Sequence, residues 1–351
     1  MADNSEALAA LEKEMAAANL RGQWQSDANR PRQRRQGPQN QLVVEPVPAG
    51  QAHLWRWSEM RPLLERSVKA MPESFTARRS LTLKNPGLTR GTTQTMVAGY
   101  QMIGPGEISW AHRHSISALR FIIEGGDKVF TVVNGEKQAM EPYDLVLTPG
   151  WCWHDHHNQT DRPAVWLDAL DVPFVLALNQ DFYEELGETS QDQIEAAEPS
   201  PVMRRVGETE TGRRVMRYPW ADARRQIMAR AAATPDPQDG ILLEYLNSTT
   251  GGPALNSLSC RLTLLPPGFS GRLRRRSASS IYFGIEGEGR LVADESELEF
   301  GPHDSFAVPN WSWYRLVNES KTKPALLFSI TDQPILETFG LYREETEAQR
   351  H

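Results

Sequence analysis

From about Gln51 to Phe174 short apolar runs alternate with turn residues. TMVAGYQMI, LRFIIEG, KVFTVVNG, YDLVLTPG and AVWLDALDVPF are rich in Val, Ile, Tyr, Phe and Trp, and Gly, Pro, Asn or Asp bounds each run. Runs of this length and content predict the short strands of an all-β sandwich or barrel. Asn134-Gly135 in VVNGEK predicts a hairpin turn. The same texture resumes at Leu242 and continues to Phe339. Between the two stretches, Glu185 to Asp239 is polar, and ADARRQIMARAAA (221–233) predicts a helix that TPDPQDG stops. At the start, residues 5–19 predict a short helix with Leu8 and Leu11 on one face. The stretch Arg21 to Asn40 carries Arg30, Arg32, Arg34 and Arg35. It reads as a solvated arm, partly disordered or packed on a neighbouring subunit, with an anionic partner as the alternative. The pattern divides the chain into an N-terminal helix and basic arm (1–45), a first β domain (46–185), a linker with a helix (186–240) and a second β domain (241–351).

The two β regions repeat one another. IGPGEISWAHRH lines up with LPPGFSGRLRRR, so Gly106 precedes His112 and His114 at the spacing by which Gly268 precedes Arg274 and Arg276. FIIEG matches GIEG, PGWCWH (149–154) matches PNWSWY (309–314), Asn158 matches Asn318, and RPAVWLDALDVP matches KPALLFSITDQP. Two copies of one barrel follow. They part company at polar positions: His112, His114 and His154 in the first stand against Arg274, Arg276 and Tyr314 in the second.

Composition narrows the class. A chain of 351 residues with 39% apolar residues and 10 Trp can bury a core, and its length fits about two domains. The net charge of -7 argues against a nucleic-acid partner. No apolar run is long enough for a membrane span, and the acidic N-terminus lacks a signal core, so neither a membrane nor secretion is expected. Two Cys make no disulfide scaffold, and a cytoplasmic location is the default expectation.

Of eight His, five fall in AHRHS and WHDHHN. Alternate residues of a strand face one way, so His112 and His114 share a side. His154 follows after two to three expected strands. Three imidazoles suit Fe, Zn, Cu, Ni or Mn and do not choose among them. The bland reading, ordinary hydrogen-bonding histidines of core and rim, suits a lone His better than this set.

Gly106, His112-x-His114 and Gly126 resemble the first cupin motif, and Pro149, His154 and Asn158 resemble the second. The usual cupin Glu ligand is missing; its place falls at Ala118 or Leu119, and Tyr143 and Trp151 stand where the general pattern has Gly. The stretches NPGL, AHRHS–ALRFIIEG, VVNGE, LTPGWCWHDH, LDALDVPF, DQPILE and LYREE resemble the bicupin ring-cleaving dioxygenases of gentisate, salicylate and related 2-hydroxybenzoates, over about Trp55 to Glu345. The resemblance implies two jelly-roll barrels with short flanking helices. It implies one Fe(II) per subunit, held by His112, His114 and His154, and no organic cofactor. In that family the substrate chelates iron through its carboxylate and 2-hydroxyl, dioxygen binds beside it, and the ring opens between the carbons bearing those two groups.

The same resemblance assigns supporting roles. Arg120, whose parity matches the His pair on a continuous strand, is similar to the carboxylate-binding Arg, with a rim salt bridge as the bland alternative. Arg78 is similar to a second active-site Arg, and Arg79 reads as structural. Gln101 resembles a pocket-lining Gln. His156 resembles an acid/base or substrate hydrogen-bonding partner, and Asp168 a carboxylate that orients the pocket. Catalytic roles are thus expected for His156, Arg120 and Asp168, and substrate contacts for Arg78, Gln101, Arg120 and His156. His157 is expected to point away and Asp171 to serve a turn. Trp110, Trp151 and Trp153 read as barrel packing or ring stacking, and Cys152 as a small apolar filler. Ser80 and Val97 fall at pocket positions that vary among relatives, which leaves gentisate, salicylate and 5-substituted salicylates such as 5-nitrosalicylate open. A homotetramer is implied. The second copy reads as a metal-free domain that helps assembly, or whose three Arg bind an anion. Two rival readings remain: a non-catalytic cupin that senses aromatic acids, and a metal cupin acting on oxalate or sugars, against which the missing Glu and the place of Arg120 count.

Overall fold

The computed structural model describes residues 3–22, 24–25, 32–36, 41–71, 79–195, 203–205 and 215–349. It divides into a unit of residues 1–47 with the terminal His351, and a unit of residues 48–350. In the first unit the expected helix runs Asp3–Ala17, with Leu8 and Leu11 exposed. Part of the Arg-rich stretch is not an unstructured arm: Arg32–Gln36 pairs antiparallel with Leu42–Pro46. The β-branched run LVVEP supplies a partner strand that polarity alone does not reveal.

The second unit holds both barrels. In the first, one sheet orders Arg217–Tyr218, Leu145–Thr148, Ala118–Glu124, Ala164–Leu170, Val97–Ile103 and Arg79–Thr82. The facing sheet orders Tyr183–Glu185, Ile108–His114, His154–Asn158, Gly126–Val133, Glu136–Met140 and Ile194–Glu195. Asn134 and Gly135 both take positive φ, 49° and 83°, as a two-residue hairpin turn of the I′ type requires. The second barrel repeats the plan with a seven-stranded and a five-stranded sheet. One apolar core runs through both barrels, with Phe121 of the first stacked on Phe328 of the second at 4.1 Å between ring centroids.

The duplication extends to single hydrogen bonds. The Asn158 amide donates to the carbonyls of Ile103, Gly104 and Arg162, and Asn318 donates to those of Leu265, Pro266 and Lys323. It also reaches further upstream than the β runs. Helix Trp57–Ala70, in a region whose texture predicts strands, stands before the first barrel as Trp220–Ala229 stands before the second. Pro62 and the charges Glu59, Arg61, Glu65 and Arg66 mask its spacing, yet Met60 and Leu64 lie four apart and are buried. Each helix is preceded by a strand added to the other barrel: His53–Trp55 pairs with Ser305–Val308, and Arg217–Tyr218 pairs with Leu145–Thr148. Among the described residues no helix is long and apolar enough to cross a membrane.

Two buried carboxylates pin the barrels to each other. Asp171 is more than a turn residue: it accepts the Ser117 N–H at 2.8 Å and the Ser257 hydroxyl at 2.5 Å. Asp332 in the same place of the second copy accepts the Ser279 N–H at 2.8 Å and the Thr95 hydroxyl. Burial raises the Asp332 carboxyl to about 6, against the pull of those two donors. A carboxyl whose folded value lies above its unfolded one binds its proton more tightly in the fold. The stability it contributes is therefore complete below the unfolded value near 3.8 and is lost as pH rises through about 6. Asp332→Asn is expected to remove that dependence. The difference in unfolding free energy between wild type and variant is expected to change by roughly 2–3 kcal/mol from pH 4 to pH 7, read from urea unfolding curves. A difference that stays constant with pH rules this account out.

Candidate metal centre

His112 and His114 leave strand Ile108–His114 on one side, as their spacing of two requires, and His154 opens strand His154–Asn158 directly opposite His112. Four strands, not two to three, separate His114 from His154 along the chain, because the Gly126–Met140 hairpin is part of the same sheet. The ring centroid of His154 lies 4.3 Å from that of His112 and 4.8 Å from that of His114. One ligand nitrogen from each can be chosen so that all lie within 4.8 Å of one another.

Backbone carbonyls select the nitrogen that faces this point. Nδ1 of His112 donates to Trp110 O at 2.7 Å, Nδ1 of His114 to Ile116 O at 2.7 Å, and Nδ1 of His154 to Cys152 O at 3.0 Å. A carbonyl only accepts, so each Nδ1 carries a proton, and in the neutral ring the lone pair falls on Nε2. The Nε2 of His154 is buried and has no hydrogen-bond partner among the described residues. Burial, the Arg120 guanidinium and the two neighbouring imidazoles hold His154 well below its ordinary range, so it stays neutral. Three imidazoles whose Nδ1 groups are engaged by carbonyls, with the orphaned inward nitrogen of a neutral His154 among them, fit a divalent transition metal.

Arg120 stands on strand Ala118–Glu124, which belongs to the opposite sheet. The parity argument across one continuous strand therefore does not hold, since the chain turns at Ser115–Ser117 and changes sheet. The side chain is nonetheless buried and acts electrostatically on both His154 and His156. Its Nη1 donates to Thr148 Oγ1 at 2.6 Å, and its Nε lies 3.5 Å from Asp168 Oδ1. Asp168 also accepts the Trp166 indole N–H at 3.0 Å. His156 is buried between the His154 and Trp166 rings, 5.8 Å and 5.4 Å away, with Nδ1 unbonded among the described residues. Burial first, then Arg120, push it well below the ordinary histidine range. Gln101 is buried opposite Trp166 in the sheet, and its amide makes no hydrogen bond to a described residue. Arg78 lies outside the described residues. Arg79 is buried in an ion pair with Glu107 at 2.5 Å. His157 turns to the packed side, where its ring stacks on Phe130 at 4.6 Å and its Nε2 bonds Asp155.

The tryptophans are not core residues. Trp110 and Trp151 are exposed, and Trp151 and Trp153 sandwich the Arg113 guanidinium at 4.3 Å and 4.5 Å. The second copy repeats this device with Arg275 between Trp311 and Trp313.

Thr148 and Trp166 escape the motif reading. Comparing the two copies position by position could have found them. Thr148, Trp166, Arg120, Asp168 and His156 stand against Val308, Leu327, Tyr282, Ser329 and Leu316, so the whole support of the site is confined to the copy that holds the triad. In the second copy Arg274 faces Tyr314 as His112 faces His154. Its three Arg each pair with acidic groups of the same chain: Arg274 and Arg276 share Asp239 and reach Glu344, and Arg275 pairs with Glu345 at 2.6 Å.

A sequence profile described as a cupin domain matches residues 99–170 and 261–331. The chain is 38% identical to a 1-hydroxy-2-naphthoate 1,2-dioxygenase of Nocardioides sp. (strain KP7), over 97% of this chain and 88% of the relative. It is 37% identical to a 5-aminosalicylate 1,2-dioxygenase of Comamonas sp., over 97% of this chain and 91% of the relative. Salicylate 1,2-dioxygenase from Pseudoaminobacter salicylatoxidans, solved as adducts with gentisate, superposes with a TM-score of 0.81 at 30% identity, covering 97% of this chain and 94% of that one.

Proposed function

The chain belongs to the cupin-domain family of ring-cleaving 1,2-dioxygenases, and from that premise we propose that its first barrel uses Fe(II) and dioxygen to open an aromatic acid between the carboxyl-bearing carbon and an adjacent hydroxyl-bearing carbon. The observation that carries the reading is the triad of tautomer-locked imidazoles converging beside a buried guanidinium. His112, His114 and His154 would hold the iron, which when bound would supply the Lewis-acidic, redox-active centre at which the aromatic acid and dioxygen react.

The remaining chemistry belongs to the chain. Arg120 presents a planar, always charged donor set to the substrate carboxylate. Thr148 and Asp168 fix the rotation of that guanidinium, and Trp166 fixes Asp168 in turn. His156, kept neutral, can accept a hydrogen bond from the substrate hydroxyl. Gln101 offers an uncommitted amide to a ring substituent. Buried walls exclude water from the charged groups and strengthen each of these contacts. The second domain, 241–351, serves as a metal-free partner barrel, and a homotetramer is the assembly we expect.

The relatives widen the substrate choice to a fused ring, since one acts on 1-hydroxy-2-naphthoate and another on 5-aminosalicylate. The test is dioxygen uptake by iron-loaded protein with gentisate, salicylate, 5-nitrosalicylate, 5-aminosalicylate and 1-hydroxy-2-naphthoate in parallel. One molecule of dioxygen consumed per ring opened, with at least one of these acids, is expected. Bound iron with no uptake on any of them overturns the reading and favours the non-catalytic sensor of aromatic acids.

A further inference from the structure

The second barrel has lost the triad but carries a cavity of its own. A cavity of about 500 Å³ opens there, lined by Arg230, Arg261, Arg276, Leu243, Tyr342 and Glu344 among others. The duplication gives its place. Strand Ile241–Tyr245 stands where Arg79–Thr82 stands in the first barrel, with Leu242 opposite Thr263 as Ser80 is opposite Gln101. Arg261 takes the position of Gly99, and Arg276 that of His114. The cavity thus shares one strand and one ligand position with the first barrel's site, with cations set into it where the first copy has Gly99 and His114, while the counterparts of the other site residues do not line it.

Arg261 and Arg276 are both more than nine-tenths buried. Arg276 gives its Nε to Glu344 at 3.2 Å and its Nη2 to Asp239 at 3.0 Å. Arg261 gives its Nε to Ser259 at 3.2 Å and its Nη2 to Gln333 at 3.0 Å, and its closest carboxylate oxygen, on Glu244, is 3.9 Å away. Nη1 of each guanidinium bonds no described residue. The acids nearby are already engaged. Arg274 holds both oxygens of Asp239, Tyr342 donates to Glu344 at 2.6 Å, and Asp236 at the rim turns its carboxylate into the N–H groups of its own loop. Buried guanidinium groups with spare donors call for a carboxylate, the planar anion that suits them. Leu243 and Ile241 supply an apolar wall, and the volume fits one ring-sized ligand.

We propose that this cavity is a second, metal-independent site for a small aromatic carboxylate, held by Arg261 and Arg276. The ligand class rests on the dioxygenase reading of the first barrel; the site itself does not. Salicylate is the probe, titrated calorimetrically into iron-loaded protein without oxygen. Arg261→Gly restores the residue of the first copy. Ala233→Trp plugs the exposed rim and leaves the buried ion pairs alone, so it decides the matter if Arg261→Gly fails to fold. Wild type is expected to bind one equivalent per chain more than either variant, with ring cleavage in both variants within about twofold of wild type. The same difference is expected in a His112→Ala background, where binding at the triad is gone. It is expected to persist if the first barrel proves to cleave nothing, so the two proposals fail separately. Equal stoichiometry in wild type and Ala233→Trp overturns the second site.

Discussion

His154→Ala is expected to leave a folded protein that no longer holds its metal. Metal content should fall from near one ion per chain to below about a tenth, and ring cleavage by about 1000-fold or more, because two imidazoles cannot replace a closed set of three. His154 sits opposite His112 across one strand pair, and its Nδ1 is tied to Cys152 O, so no rotation of a neighbour supplies the missing nitrogen. The alternative donors nearby do not help. His156 is centred 5.8 Å from the His154 ring on the side of Arg120, and His157 faces the opposite way, against Phe130. His157→Gln is the matched control. It removes an imidazole three residues further on, breaks the bond to Asp155 and is expected to lower the melting temperature while leaving metal content per folded chain unchanged. Elemental analysis beside circular dichroism reads both. Stoichiometric metal in His154→Ala would remove the triad as the binding site.

Much of this was legible in the sequence, for reasons that differ by element. Strands announced themselves because each β run is buried on one or both faces and closed by a turn residue, as at Asn134-Gly135. The triad was legible because a strand period of two places His112 and His114 together without any loop. Repetition located His154, since PGWCWH lines up with PNWSWY and puts a histidine where the second copy has Tyr314. What stayed hidden lay in long-range pairing. The crossing of His53–Trp55 and Arg217–Tyr218 between barrels leaves no trace in local composition. Helix Trp57–Ala70 is masked by Pro62, an interior proline that argues against a helix. Arg120 came out in the right place for a wrong reason, since its inward direction comes from the opposing sheet and not from the parity of the His strand. The acidic partners of Arg274 and Arg276 sit up to seventy residues away, at Asp239 and Glu344, a distance no spacing rule spans.

Arg120→Lys is expected to keep the metal and lose the substrate. Lysine retains the charge but is a single point donor, so the flat carboxylate is no longer held by two parallel bonds. Truncating one partner of a buried charge contact costs about 2–5 kcal/mol, so kcat/KM should fall on the order of 100- to 1000-fold with metal content unchanged. Thr148→Val tests whether the aim of the guanidinium matters apart from its presence. The hydroxyl that accepts Arg120 Nη1 at 2.6 Å is replaced by a methyl of the same shape, at a position where the second copy carries Val308. Valine therefore fits this strand, and the fold is expected to survive. Loss of one hydrogen bond to a charged group is worth about 1.5 kcal/mol, or roughly tenfold in kcat/KM, carried mainly by KM. Arg120→Lys with an unchanged KM would show that the carboxylate is held elsewhere. Thr148→Val acting through metal content would make Thr148 part of the scaffold of the metal site and not a positioning residue for Arg120.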